Sequence, residues 1–301
     1  MSYFHLNLIL KGKLTVCCLL MLSVIPLNAQ REAKQIGDFK ESISLNEHLR
    51  GTKRTLQYRP DGDEFVCVNG KNRYTRALYG SHSPFRVETS DRPVFAFYNN
   101  GRGGNISFKV ILRDGTELAL DRTGYCESRY SAGKRTYYLT DPSWGKGELR
   151  ISVLALADMD GAIWRFSPSN MPKGAILRWQ HGGATGKRLS RNGDMGVDPV
   201  DCFELPAEAT DLVTGELALQ KEVYLVRGEV PEGYNVRKLY QQAEAASLAL
   251  ASHLKIETPD PYLNTLGGAL VAAADGIWDG QVWLHGAIGW RMPLSGWRAG
   301  Y

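Results

Sequence analysis

Between residues 55 and about 227 the chain is written in short alternating apolar and polar runs separated by turn-forming pairs. After Pro231 that period of two gives way to a helical period. Such a chain has to build antiparallel strands first and helices afterwards. Ile106, Phe108, Val110 and Leu112 share one face of a strand, with Ser107, Lys109 and Arg113 on the other; Asp114-Gly115 then turns the chain into 116–120. Leu149, Ile151, Val153 and Ala155 alternate in the same way, and Asp160-Gly161 returns the chain through 162–166. Further strand candidates are 65–68, 74–79, 94–98, 136–140, 176–180 and 217–226. With no helical pattern between them, these strands predict a mainly β fold, an antiparallel β-sandwich, with a closed barrel as the alternative.

Beyond Pro231, Val236, Leu239, Tyr240, Ala243, Leu250 and Leu254 recur at helical spacing behind a capping Asn235. This predicts a linker helix of about five turns that ends before Pro259. Asp260-Pro261 starts a second helix, with Asp as N-cap and Pro in the first turn. Leu263, Leu266, Leu270, Ala274 and Ile277 form its expected packing stripe. Asn264, Gly268, Val271 and Asp275 fall on another face, with Asn264 and Asp275 aligned along one side.

At the other end, Lys11 and Lys13, an apolar run and Asn28-Ala29-Gln30 read as a secretory signal peptide cleaved after Ala29. A lipoprotein signal at Cys17 is set aside because Val16 is large and most of the apolar run follows the cysteine. The reading implies a periplasmic or extracellular protein with no membrane association after cleavage, and a polar linker over 30–54. Removing 1–29 leaves 34 basic against 32 acidic residues, a balance that does not suggest nucleic acid. Cys67, Cys126 and Cys202 then remain, isolated and without CxxC spacing, so buried free thiols are expected and neither a metal nor a cofactor is implied.

Two glycine-rich pieces resemble sites only superficially. The run from His181 to Arg188 is one residue short of a phosphate loop and has Arg188 where Ser or Thr would bind magnesium. The run from Asn99 to Asn105 joins two strands and is too polar to bury, so it reads as a solvated loop, with Arg102 reaching toward a neighbouring domain's site as the alternative. His48, His82 and His253 have no partner at ligand spacing and receive no role.

Chemistry concentrates in 259–301, where Trp278, Trp283, Trp290 and Trp297 occur with His285, Arg291, Arg298, Asp275 and Asp279. Flat aromatic faces combined with carboxylate, guanidinium and imidazole groups suit a sugar ligand. Gly276, Gly280, Gly286, Gly289, Gly296 and Gly300 interrupt any continuous helix, which places much of the stretch on loops. The expected substrate-binding residues are Trp278, Trp283, His285, Trp290, Arg291, Trp297 and Arg298. Asp275 and Asp279 are the catalytic candidates, on one side of the chain only if the helix continues through Gly276, and burial beside Trp278 or Trp283 would raise a pKa toward that of a general acid.

A sandwich, a linking helix, and then PDPYLN, AAADGIWDG, WLHGAIGWR and LSGWRAGY resemble the N-terminal part of secreted bacterial six-hairpin glycosidases. In that family an (α/α)6 toroid follows a large β-sandwich. The resemblance implies a sandwich over 55–230, a linker helix over 231–258 and the first helices of a toroid over 259–301. It also implies a glycan held near the toroid mouth and glycoside hydrolase activity. A complete toroid needs many more helices than the two legible here, so the chain is expected to be an incomplete piece, inactive by itself. Competing readings are a non-catalytic glycan-binding module using the tryptophan face, and a polysaccharide lyase with His285 or a tyrosine as base and Arg291 or Arg298 neutralising a uronate. A structural surface protein is the residual reading.

Overall fold

A computed structural model of the chain describes residues 58–70, 74–83, 85–99, 102–182, 212–230 and 232–284, all within one compact unit, Gln57–Tyr301. The signal peptide, the 30–54 linker and the expected site residues His285, Trp290, Arg291, Trp297 and Arg298 lie outside the described residues.

Fourteen strands precede two helices among the described residues. The strands begin with β1 (Arg59–Asp61), β2 (Glu64–Val68), β3 (Tyr74–Leu78), β4 (Arg86–Ser90), β5 (Phe95–Asn99), β6 (Arg102–Ile111) and β7 (Glu117–Ala119). They continue with β8 (Tyr125–Ser131), β9 (Lys134–Thr140), β10 (Glu148–Ala155), β11 (Gly161–Ser169), β12 (Ile176–Gly182), β13 (Val213–Ala218) and β14 (Val223–Gly228). The helices are α1 (Val236–Ala251) and α2 (Pro261–Gly276). One sheet of seven strands runs β1-β2-β8-β9-β10-β11-β14, and the other runs β13-β12-β6-β5-β4-β3 with β7 also on β6. Every pairing is antiparallel.

The inner faces meet through aromatic rings. Phe95 and Phe108 of the second sheet contact Trp164 and Phe166 of the first at ring separations of 5.5 and 5.1 Å, tilted by 80° and 65°. Edge-to-face contacts of this kind add to the burial of large apolar area. The alternation read in β6 and β10 puts Ile106, Phe108, Val110, Leu149, Ile151 and Val153 in this core, all at most 2% exposed. The mainly β class and the sandwich order follow the sequence expectation.

Two local expectations are corrected. The single strand expected over 217–226 is two strands in different sheets: β13 pairs with β12, and β14 pairs with β11. The chain crosses between sheets around buried Leu219, whose N–H donates to the Ala175 carbonyl at 3.0 Å, and no Gly or Pro marks the crossing. Arg102 belongs to β6, paired with Asn99 of β5, rather than to a loop. The strand β4 escaped prediction because all five of its residues are buried while four of them, Arg86, Glu88, Thr89 and Ser90, are polar. Alternation cannot report such a strand. Its charge is balanced internally, with Arg86 Nε 2.5 Å from Glu88 Oε1.

Cys67 and Cys126 are buried thiols outside any disulfide, and burial pushes the Cys126 thiol from 9.0 up to about 12. A thiol reagent is therefore expected to label neither in the native protein at neutral pH and both in denaturant; rapid native labelling would contradict the buried geometry. Because the folded pKa is raised, this group supports the fold fully below about pH 9 and progressively less as pH rises toward 12. Burial raises Tyr240 from 10.0 to about 12, adding loss of the same sign.

The helices begin where the sequence places them. Asn235 Oδ1 accepts from the Lys238 N–H at 3.0 Å, and Asp260 Oδ1 accepts from the Tyr262 N–H at 2.8 Å. Each such cap stabilises its helix by about 1 kcal/mol. Leu239, Tyr240 and Ala243 of α1 pack on Leu154, Leu156 and Ile163, so α1 covers part of the outer face of the first sheet. Neither described helix is long and apolar enough to cross a membrane.

The packing face of α2 differs from the expected stripe: Leu263 and Leu270 are 42% and 50% exposed, while Thr265, Ala272 and Gly276 are buried. Tyr262, Leu266 and Ala269 pack on the sandwich core from that same side. Close approach decides the matter, because a Cβ on Gly276 would lie 2.3 Å from the Tyr79 ring. Small residues let α2 settle onto the sheet edge where leucines would hold it off.

Candidate functional site

The C-terminal half of α2 faces a groove whose opposite walls are loops of the sandwich. After β3 the chain runs through Tyr79, Gly80, Ser81 and His82, and it is pinned to the β10–β11 turn. Ser81 and Ser83 hydroxyls donate to Asp160 Oδ1 at 2.8 and 2.5 Å, and the Asp158 N–H donates to the Gly80 carbonyl at 2.9 Å. Gly80 is needed for this approach, since a Cβ there would fall 1.9 Å from the Leu156 carbonyl oxygen. On the far side, Ser247 of α1 donates to the Ala132 carbonyl at 2.7 Å, and Lys134 Nζ sits 3.1 Å from Glu244 Oε1.

These contacts enclose a cavity of about 270 Å³ bordered by Tyr79, His82, Tyr130, Asp158, Ser247 and Asp275 among small alanines. His82 Nε2 lies 3.3 Å from Asp275 Oδ1, an imidazole donating to the carboxylate between residues 193 positions apart. Both side chains remain about half exposed at 47% and 40%. Asp158 is exposed and sits at φ 59°, a left-handed conformation that is uncommon outside glycine and recurs at functional positions. Burial and the neighbouring Glu88 carboxylate push the Tyr79 phenol well above its usual range, so at neutral pH it stays protonated and does not act as a base.

Of the residues expected from sequence, Asp275 borders this cavity, and Trp278, Asp279 and Trp283 follow it beyond the end of α2. The helix ends at Gly276, so Asp275 and Asp279 are not on one continuous helical face. Asp279 Oδ1 instead accepts from the Gln281 and Val282 N–H groups at 2.9 and 2.8 Å, closing a tight reversal. That reversal bridges Trp278 to Trp283 and brings their rings to 4.8 Å at 57°. Trp283 is 40% exposed. Asp275 thus faces the groove, Asp279 shapes the turn, and the tryptophans form a ring pair immediately after α2. Asn264 shares a side of α2 with Asp275 but is engaged locally, with Oδ1 accepting from Thr258 N–H and hydroxyl at 2.7 and 2.9 Å.

Sequence reasoning missed His82, Asp158, Tyr79 and Ser247. The only local signal was Asp158 beside the Asp160-Gly161 turn, which reads as hairpin chemistry; the rest needed long-range packing. Among the described residues no three His, Cys, Asp or Glu side chains gather as metal ligands.

Residues 100–230 match a family model described as a domain of unknown function, DUF4450. The match spans the sandwich from the start of β6 to the end of β14 and leaves both helices outside it. The chain is similar to that family over this segment, under half its length. A search of the curated proteins finds no match.

Proposed function

We propose that this chain is a secreted, periplasmic or extracellular carbohydrate-active protein, the sandwich and first helices of a glycoside hydrolase. Its glycan lies at the C-terminal end of α2. The observation that carries the reading is that two carboxylates from distant parts of the chain, Asp158 and Asp275, line one groove, with the Trp278–Trp283 pair directly following the helix. Glycoside hydrolysis uses two carboxyl groups, one protonating the leaving oxygen and the other serving as nucleophile or activating water. His82, bonded to Asp275, orients that carboxylate and supplies a second proton-carrying group beside it. The tryptophan rings offer a stacking surface for the apolar face of a sugar.

An incomplete toroid is expected to be inactive, but the groove with its two carboxylates lies within this chain. A panel of neutral and acidic polysaccharides incubated with the purified full chain therefore tests the reading. New reducing ends support hydrolysis, whereas an absorbing unsaturated product would assign a lyase instead. Saturable binding without turnover would leave a glycan-binding module. Neither binding nor turnover across the panel would sink the carbohydrate reading.

A further inference from the structure

The outer face of the first sheet holds a second concentration of aromatic and polar side chains at the far end of β10 from the α2 groove. Strand pairing places two rows across it: Glu127, Tyr138, Arg150 and Ser167 stand opposite one another in turn, as do Tyr125, Thr140, Glu148 and Ser169. Tyr125 and Tyr138 are 37% and 36% exposed, and Val68 of β2, paired with Glu127, is 42% exposed. Further along the same face, Arg165 stacks at 4.4 Å on the Tyr240 ring, where α1 covers the sheet. The two rows therefore form the uncovered remainder.

Several features mark this face as built for a ligand. A depression of about 390 Å³ is lined by Tyr125, Tyr138, Thr140, Glu148, Arg150 and Ser167. That volume falls within the roughly 300–1,000 Å³ of small-molecule sites. The aromatic rings are held in place: the Tyr125 hydroxyl donates to Glu127 Oε2 at 3.0 Å, and the Arg129 and Arg150 guanidinium groups lie 5.9 and 5.3 Å from the Tyr138 ring centre. Arg129 is committed to Asp61, Glu64 and Glu127. Arg150 and Glu148, by contrast, form no ion pair or hydrogen bond among the described residues.

An unpaired guanidinium donor, an unpaired carboxylate acceptor, several hydroxyls and two partly exposed rings on a four-strand surface match an uncharged, hydroxyl-rich ligand with apolar ring faces. An anionic ligand would meet Glu127 and Glu148, and a cationic one Arg129 and Arg150. We infer that the outer face of β8-β9-β10-β11 binds a neutral oligosaccharide chain, at a site separate from the groove beside α2. The inference rests on the carbohydrate reading above but adds a second site to it.

Affinity electrophoresis of the full chain in gels containing soluble β-glucan, xyloglucan, galactomannan, dextran or, as acidic polymers, alginate and pectate tests it, with reducing-sugar release measured separately. Retardation by at least one polymer is expected, weakened at least about tenfold in Tyr138→Ala and in Arg150→Ala and unchanged in Glu216→Ala, at an exposed ion pair of the other sheet. Unfolding midpoints close to wild type confirm that these surface variants fold. Retardation lost in Trp283→Ala but kept in the Tyr138 and Arg150 variants overturns the sheet-face site while leaving the groove reading intact. Retention by acidic polymers alone, or by none, also overturns it, whatever the turnover assay shows.

Discussion

An Asp91→Ala variant is expected to lose about 3–5 kcal/mol of folding stability, the cost of stranding a buried charge. Asp91 and Arg135 are both fully buried, with Arg135 Nη2 3.8 Å from Asp91 Oδ1. The same nitrogen donates to the Tyr58 hydroxyl at 2.6 Å and to the Ser90 carbonyl and Ser128 hydroxyl at 3.2 Å, while the Tyr58 hydroxyl donates to Asp91. Removing the carboxylate leaves the guanidinium with neutral acceptors only. Truncating Glu216, whose pair with Arg178 at 2.8 Å is solvent-exposed, should cost under about 1 kcal/mol and serves as the control. Urea unfolding midpoints of the two variants decide the comparison. Equal small losses would mean that Arg135 is compensated by hydrogen bonds alone.

If the hydrolase reading holds, Asp275→Asn should lower turnover by about 10²–10⁴-fold, the usual contribution of a positioned acid or base. The substitution keeps the shape of the side chain and its place beside His82, so folding should be little changed. Asp279→Asn is the informative companion. An amide oxygen can still accept from Gln281 and Val282, so turnover should be largely kept if Asp279 serves the turn and not the chemistry. A loss of turnover in Asp279→Asn equal to that in Asp275→Asn would reverse this assignment. Unchanged turnover in Asp275→Asn would remove it from the mechanism.

Much of the fold was legible because the responsible signals are local. Asp114-Gly115 and Asp160-Gly161 mark hairpins that form, and Asn235 and Asp260 cap the helices that begin after them. What could not be read depends on partners far along the chain. β4 is a polar strand made tolerable by the Arg86–Glu88 pair, and the Asp91 site is completed by Arg135 and Tyr58. The candidate site was half legible: Asp275 and the tryptophans stand out by composition, but His82 had no sequence neighbour to mark it and meets Asp275 only across the folded chain.

The order of strands then helices, their turns and their caps were determined by the sequence alone, because period, turn chemistry and capping act over a few residues. Tertiary structure decided which face of α2 is buried, since the approach of Gly276 to Tyr79 outweighs the hydrophobicity of Leu263 and Leu270. It also decided that one strand-like run would be shared between two sheets, and that Asp158 and Asp275 would face one groove. Those outcomes depend on how surfaces fit at a distance, and no local pattern encodes that fit.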